Sequence, residues 1–126
     1  MTSDTQLLRQ VNPSWVQSGR VTSQVFKPTA KDKNRLSVYD GDRITAVAAW
    51  GHYTGELAFT SVGVLAVTVE ECERLELTAE SDPGPFPKHA VINFDDFPLS
   101  QIEKKAKHLK KAAEARGWQY QAEAEE

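Results

Sequence analysis

The residues of this chain whose types could do chemistry are Arg9, Ser14, Arg20, Ser23, Ser37 and His89. Arg9 interrupts an otherwise apolar opening segment, and strand alternation points it to the face of Leu7 and Val11. A charge there is costly to desolvate without an anionic partner. That partner is either an Asp or Glu of the chain, or a phosphate or carboxylate of a ligand gripped by the guanidinium fork. Ser14, Arg20, Thr22, Ser23 and Ser37 sit beside turns. Hydroxyls with an arginine suit anion binding, and the same residues also make ordinary caps and turns. His89 stands just before a strand, at a sheet end, and imidazole titrates near neutrality. It is therefore the candidate acid or base. In this scheme Arg9 holds phosphate, the hydroxyls orient it, and His89 transfers a proton.

Other chemistry is poorly represented. His52 follows an apolar helical face and reads as a packed side chain. Cys72 lies among Glu70, Glu71 and Glu73, whose carboxylates discourage a thiolate, so it reads as structural. No Cys or Ser spacing marks a nucleophile pair. No metal motif, P-loop, G-x-G-x-x-G or zinc-deaminase pattern is present.

The elements that must position these residues are short. Residues 6–11 read as a strand, stopped by Asn12-Pro13. Ser18-Gly19 marks a turn, and 21–26 (VTSQVF) read as a short strand. Residues 27–34 form a charged loop. Residues 36–39 are a strand closed by Asp40-Gly41. A helix over 45–53 starts at a Thr45 N-cap. Residues 61–67 are apolar on both faces, the pattern of a buried strand, and Gly63 permits close approach of a backbone or ligand. Thr68 and Glu71 have capping-box spacing for a helix over 69–75. Strands follow at 77–80 and 90–94, separated by the rigid loop 82–87. A second capping box at Ser100–Glu103 opens the last helix, whose apolar stripe is Ile102, Ala106, Leu109 and Ala113. Gly117 ends it, and Trp118 and Tyr120 fold back on the body. The spacing predicts an α+β (or small α/β) fold: a single mixed sheet, short helices, and a long C-terminal helix on one face.

The 126 residues make one domain, assigned to 1–120, with an acidic flexible tail over 121–126. One cysteine excludes an internal disulfide and a cysteine-rich zinc site. No secretory signal pattern opens the chain and no apolar run approaches membrane-spanning length. The expectation is a cytoplasmic protein with no membrane association. The net charge of −3 is uneven. Residues 1–43 carry seven Lys/Arg against four Asp/Glu, and 44–97 carry two against nine. The last helix bears Lys104, Lys105, Lys107, His108, Lys110, Lys111 and Arg116 on its outer face. It lacks the interleaved aromatics that stack on bases, which argues against nucleic acid as the partner.

The strings Leu8-Arg9-Gln10-Val11-Asn12-Pro13-Ser14, Gly19-Arg20-Val21-Thr22-Ser23, Phe26-Lys27-Pro28-Thr29, Leu36-Ser37-Val38-Tyr39, Gly63-Val64-Leu65-Ala66-Val67-Thr68 and Pro87-Lys88-His89-Ala90-Val91-Ile92 run in an order that resembles a family of small uncharacterised bacterial proteins. That resemblance covers most of the chain apart from the tail and implies no activity. The order also resembles the ADP-ribosyltransferase-like fold. There an early strand carries an arginine or histidine and a later strand a serine, both beside a nicotinamide dinucleotide. The resemblance implies those parts for Arg9 and Ser37, with His89 as a later polar contributor. The sequence departs from that pattern in lacking a Q/E-x-E motif and a glycine-rich turn.

Two main functions follow as expectations, with nonspecific nucleic-acid binding through the basic last helix a less favoured third. The first is an interaction or accessory module that binds a protein partner or forms a homodimer. The second is a small nucleotide- or NAD-binding enzyme built on Arg9, Arg20, Ser23, Ser37 and His89. No cofactor is required by the sequence, and NAD or a nucleotide belongs to the second reading only.

Overall fold

The computed structural model describes residues 1–122. The chain opens with β1 (Gln6–Gln10), then a 3-10 turn at Pro13–Trp15 and a small ribbon of β2 (Val16–Gln17) and β3 (Arg20–Val21). Ser18 and Gly19 both take positive φ, 51° and 77°, the conformation a two-residue hairpin loop needs. There follow β4 (Arg35–Asp40), α1 (Ala46–Gly51) running into a π-helical turn at His52–Glu56, β5 (Gly63–Thr68), α2 (Val69–Glu73), β6 (Thr78–Ser81), β7 (His89–Asn93), α3 (Leu99–Arg116) and β8 (Tyr120–Gln121). Six strands make one curled sheet in the order β6-β7-β4-β1-β5-β8, antiparallel at every pairing, and β2 with β3 stands apart. The fold is α+β. The part of the expected acidic tail from residue 123 onward lies outside the described residues, and Gln121 pairs with Gly63 in β8.

Alternation along the strands divides the sheet into two faces. On one, Leu7, Leu36, Val38, Leu65, Val67 and Ile92 meet Ile102, Ala106, Leu109 and Ala113 of α3. The two alanines in that stripe let the helix lie close to the sheet. On the other, Leu8, Tyr39, Ala49, Val64 and Ala66 form a smaller cluster beneath α1. Each large side chain fully buried in this way contributes roughly 1.5–3 kcal/mol. The short α1 covers the β1–β5 side of the second face. Over β4 and β7 that face stays open.

Two local expectations are corrected. Residues 21–26 are not a strand. Only Arg20–Val21 pairs, and Ser23–Phe26 form a 3-10 turn that buries both Val25 and Phe26. Adjacent residues on a strand face opposite ways, so a strand would have exposed one of them. The Thr22 hydroxyl, donating to the Trp15 carbonyl, holds the bend. The capping box at Ser100–Glu103 does not form either. The extended Pro98 is the cap, Ser100 lies inside the first turn, and Glu103 instead pairs with Lys27 at 3.2 Å. The other box forms as expected: Thr68 accepts from the Glu71 amide and Glu71 from the Thr68 amide. Gly63 meets the close approach its position anticipates, because a Cβ there would lie 2.5 Å from the Tyr120 carbonyl. No helix among the described residues is long and apolar enough to cross a membrane.

Candidate functional site

The open part of the second face is a cleft of about 580 Å³. Its floor is β1, β4 and β7. Ser37 and Tyr39 alternate with buried Leu36 and Val38, and so face the cleft. The register sets Tyr39 opposite His89 and Ser37 opposite Val91, so His89 and Ser37 are diagonal neighbours on one face. Long side chains reach across such a diagonal. His89 Nε2 lies 3.1 Å from Ser37 Oγ.

His89 is only 6% exposed and held at both ring nitrogens. Nδ1 lies 2.8 Å from the Asp82 carbonyl oxygen and 3.3 Å from Asp82 Oδ2. A carbonyl can only accept, so Nδ1 carries the proton and Nε2 accepts from the Ser37 hydroxyl. The backbone clamps the same loop: Asp82 N donates to the His89 carbonyl at 2.9 Å, and His89 N to the Phe86 carbonyl at 3.1 Å.

Arg9 reaches the cleft through a gap in the sheet. Pairing of β1 with β4 stops at Leu8↔Tyr39. Beyond it, Arg9 Nε donates to the Val25 carbonyl at 2.7 Å and a terminal guanidinium nitrogen to the Ser37 carbonyl at 2.8 Å. Trp15 stacks 5.0 Å from the guanidinium carbon. None of the ion pairs among the described residues includes Arg9. Desolvation lowers its pKa to about 10, and it stays a cation at neutral pH. Lys31, Lys33 and Arg35 add positive charge to the rim, against Asp32 and Asp82.

Gln10 also lines the cleft. It is 5% exposed, and neither its amide nitrogen nor its amide oxygen has a hydrogen-bond partner among the described residues. Leaving a buried amide unbonded costs about 1–3 kcal/mol. Tyr53, Phe59 and Phe86 supply apolar wall. Phe86 stands between the two imidazoles, 4.7 Å from His52 and 5.0 Å from His89, ring centre to ring centre. Behind it, His52 Nδ1 bonds the Tyr39 hydroxyl at 2.7 Å. Burial pushes that phenol's pKa well up, so it stays protonated and donates.

The structure thus brings Arg9, Ser37 and His89 together and leaves the other candidates elsewhere. Ser14 is an exposed turn residue whose amide donates to the Asn12 side chain at 2.9 Å. Arg20 and Ser23 line a separate shallow depression with Lys107, Lys110 and Lys111. Cys72 is fully buried, and desolvation first, then Glu71 and Glu73, push its thiol up to about 12. Arg116 does not belong to the solvated face of the last helix. It donates to the Ala66 carbonyl and to Glu71, each at 2.9 Å. Sequence reasoning missed Gln10 and Asp82. A polar residue at an inward strand position signals the first, and only the loop closure reveals the second. Among the described residues no group of three or more His, Cys, Asp or Glu is placed to hold a metal ion.

No family model, no curated protein and no solved structure matches this chain.

Proposed function

We propose that the cleft binds a small organic anion carrying a flat ring, with nucleotides and dinucleotides such as NAD as the ligand class. The observation that carries this reading is Arg9. It is a half-buried cation whose bonded partners are neutral carbonyls, and Asp32 acts on it only from a distance without an ion pair, so its charge is incompletely balanced within the chain. A guanidinium at a partly desolvated wall binds phosphate or carboxylate more strongly than one in water. Lys31, Lys33 and Arg35 reinforce the attraction at the rim. Tyr53, Phe59 and Phe86 offer surface to a planar ring.

The test is thermal unfolding with ATP, NAD, pyrophosphate or inorganic phosphate. A ligand at about 100 times its Kd adds about 2.7 kcal/mol. At roughly 3–5 °C per kcal/mol for a domain near this size, that is a rise of about 8–14 °C. The expected result is a rise with ATP or NAD that exceeds the rise with phosphate, and that is lost in Arg9→Gln. Because Arg9 also ties down two carbonyls, the Lys33→Ser/Arg35→Gln double variant provides the second arm, with a weaker and less salt-sensitive rise. No rise with any of the anions overturns the reading.

A further inference from the structure

We propose that Ser37 is a nucleophile, His89 its base and Asp82 the residue that positions the base, so that the cleft hydrolyses a carboxylic ester borne by the anion it binds. This rests on the anion-binding reading for its substrate class, while the nucleophile stands on its own geometry.

Hydrolytic serines are recognised by roles and distances, on unrelated folds and in any chain order. Each role is filled here. Ser37 is exposed to the cleft, on a strand paired with β7 at Val91 and held on its other side by the Arg9 guanidinium, so its Oγ is both reachable and fixed. Its hydroxyl faces His89 Nε2 at 3.1 Å. The opposite ring nitrogen is committed to Asp82, through its carbonyl at 2.8 Å and its carboxylate at 3.3 Å. That bond fixes the tautomer that can accept the serine proton, and the carboxylate stabilises the imidazolium that results. A buried neutral histidine needs a donor for its bare nitrogen, and a core backbone N–H would serve. Here one partner is an exposed hydroxyl on the cleft wall. The Arg9 guanidinium, bonded to the carbonyl of Ser37 itself, has five N–H donors and spends two of them on Val25 and Ser37. The others are free to stabilise negative charge that develops beside that residue.

The step balances without any further reagent but water. Ser37 Oγ bonds to the ester carbonyl carbon while its proton passes to His89 Nε2. The tetrahedral intermediate collapses, the bond to the alkoxy oxygen breaks, and that oxygen leaves as an alcohol with the proton from His89. Water then attacks the acyl-serine, giving its proton to His89. The carboxylic acid leaves and Ser37 regains its hydrogen.

The full chain is incubated with an alkyl fluorophosphonate, an uncharged probe without a ring, and digested for mass spectrometry. The expected result is one phosphonyl adduct, on Ser37, formed with loss of fluoride. It is absent from heat-unfolded protein and at least 100-fold slower in His89→Gln, the lower range for a general base. An unmodified Ser37 in natively melting protein overturns the proposal. So does a rate equal in native and unfolded protein, which stands whether or not His89→Gln folds. The ATP melting shift is read separately. A shift without an adduct overturns the nucleophile alone, and an adduct without a shift overturns the anion reading alone.

Discussion

His89 holds the hydroxyl of Ser37 across the β4–β7 pair, Nε2 to Oγ at 3.1 Å, although the two lie 52 positions apart in the chain. The pair is rigid because each member is anchored twice. Ser37 pairs with Val91 of β7, and its carbonyl is taken by Arg9. His89 starts β7 and is tied by ring and backbone to Asp82. A cation and a hydroxyl–imidazole pair therefore share one wall of the cleft, and each is rooted on a strand.

Gln10→Leu tests whether the cleft gives up stability for recognition. The amide is buried without a partner among the described residues, so an apolar side chain of similar length removes a desolvation cost. The expected outcome is a gain of about 1–3 kcal/mol in urea unfolding, together with a smaller melting shift for ATP. A loss of stability would show that the amide is satisfied in solution.

Glu71 makes stability depend on acid pH. Partial burial raises its pKa, but the bonds from Arg116 and Thr68 outweigh it, and the net shift is downward. The folded carboxyl thus holds its proton more weakly than the unfolded one. Its contribution is whole above the ordinary carboxylate range near 4.3, and fades as pH falls through the lowered value. Glu71→Gln is expected to cost about 1 kcal/mol at pH 7, within the range for a cap or an exposed ion pair. In melts from pH 7 to pH 3 the gap between wild type and variant closes toward the acid end. A gap that widens there contradicts the assignment.

Gly63→Ala tests the closing edge of the sheet. The added Cβ would meet the Tyr120 carbonyl at 2.5 Å and the Trp118 ring at 2.9 Å. Backbone cannot retreat cheaply, so β8 detaches. The expectation is a loss of about 1–3 kcal/mol, with faster hydrogen exchange at the amides of Gln119 and Ala122, which bond the Val64 and Val62 carbonyls. Unchanged exchange at those amides would show that the edge strand adapts.

Much of this molecule was legible in the sequence because it depends on near neighbours. The stripe of α3, the Thr68 box, the Ser18-Gly19 turn and the doubly buried β5 follow from periodicity and local chemistry over a few residues. Where local rules failed, distant contacts had prevailed. The turn at Ser23–Phe26 exists because α3 offers both Val25 and Phe26 a place inside. Pro98 displaced the serine cap because the turn at Phe94–Phe97 delivers an extended Pro98 directly to the first helical residue, Leu99.

The sequence by itself determined that this is an α+β chain, that Arg9 is a charge on a strand requiring an explanation, and that His89 stands at a strand end. Only the tertiary structure decided that Arg9, Ser37 and His89 share a cleft, that Arg20 and Ser23 do not, and that Asp82 completes the set. The reason is physical. Residue type and period fix which way a side chain points from its own element, but strand order and register fix what it points at. Those are set by hydrogen bonds and burial between segments far apart along the chain.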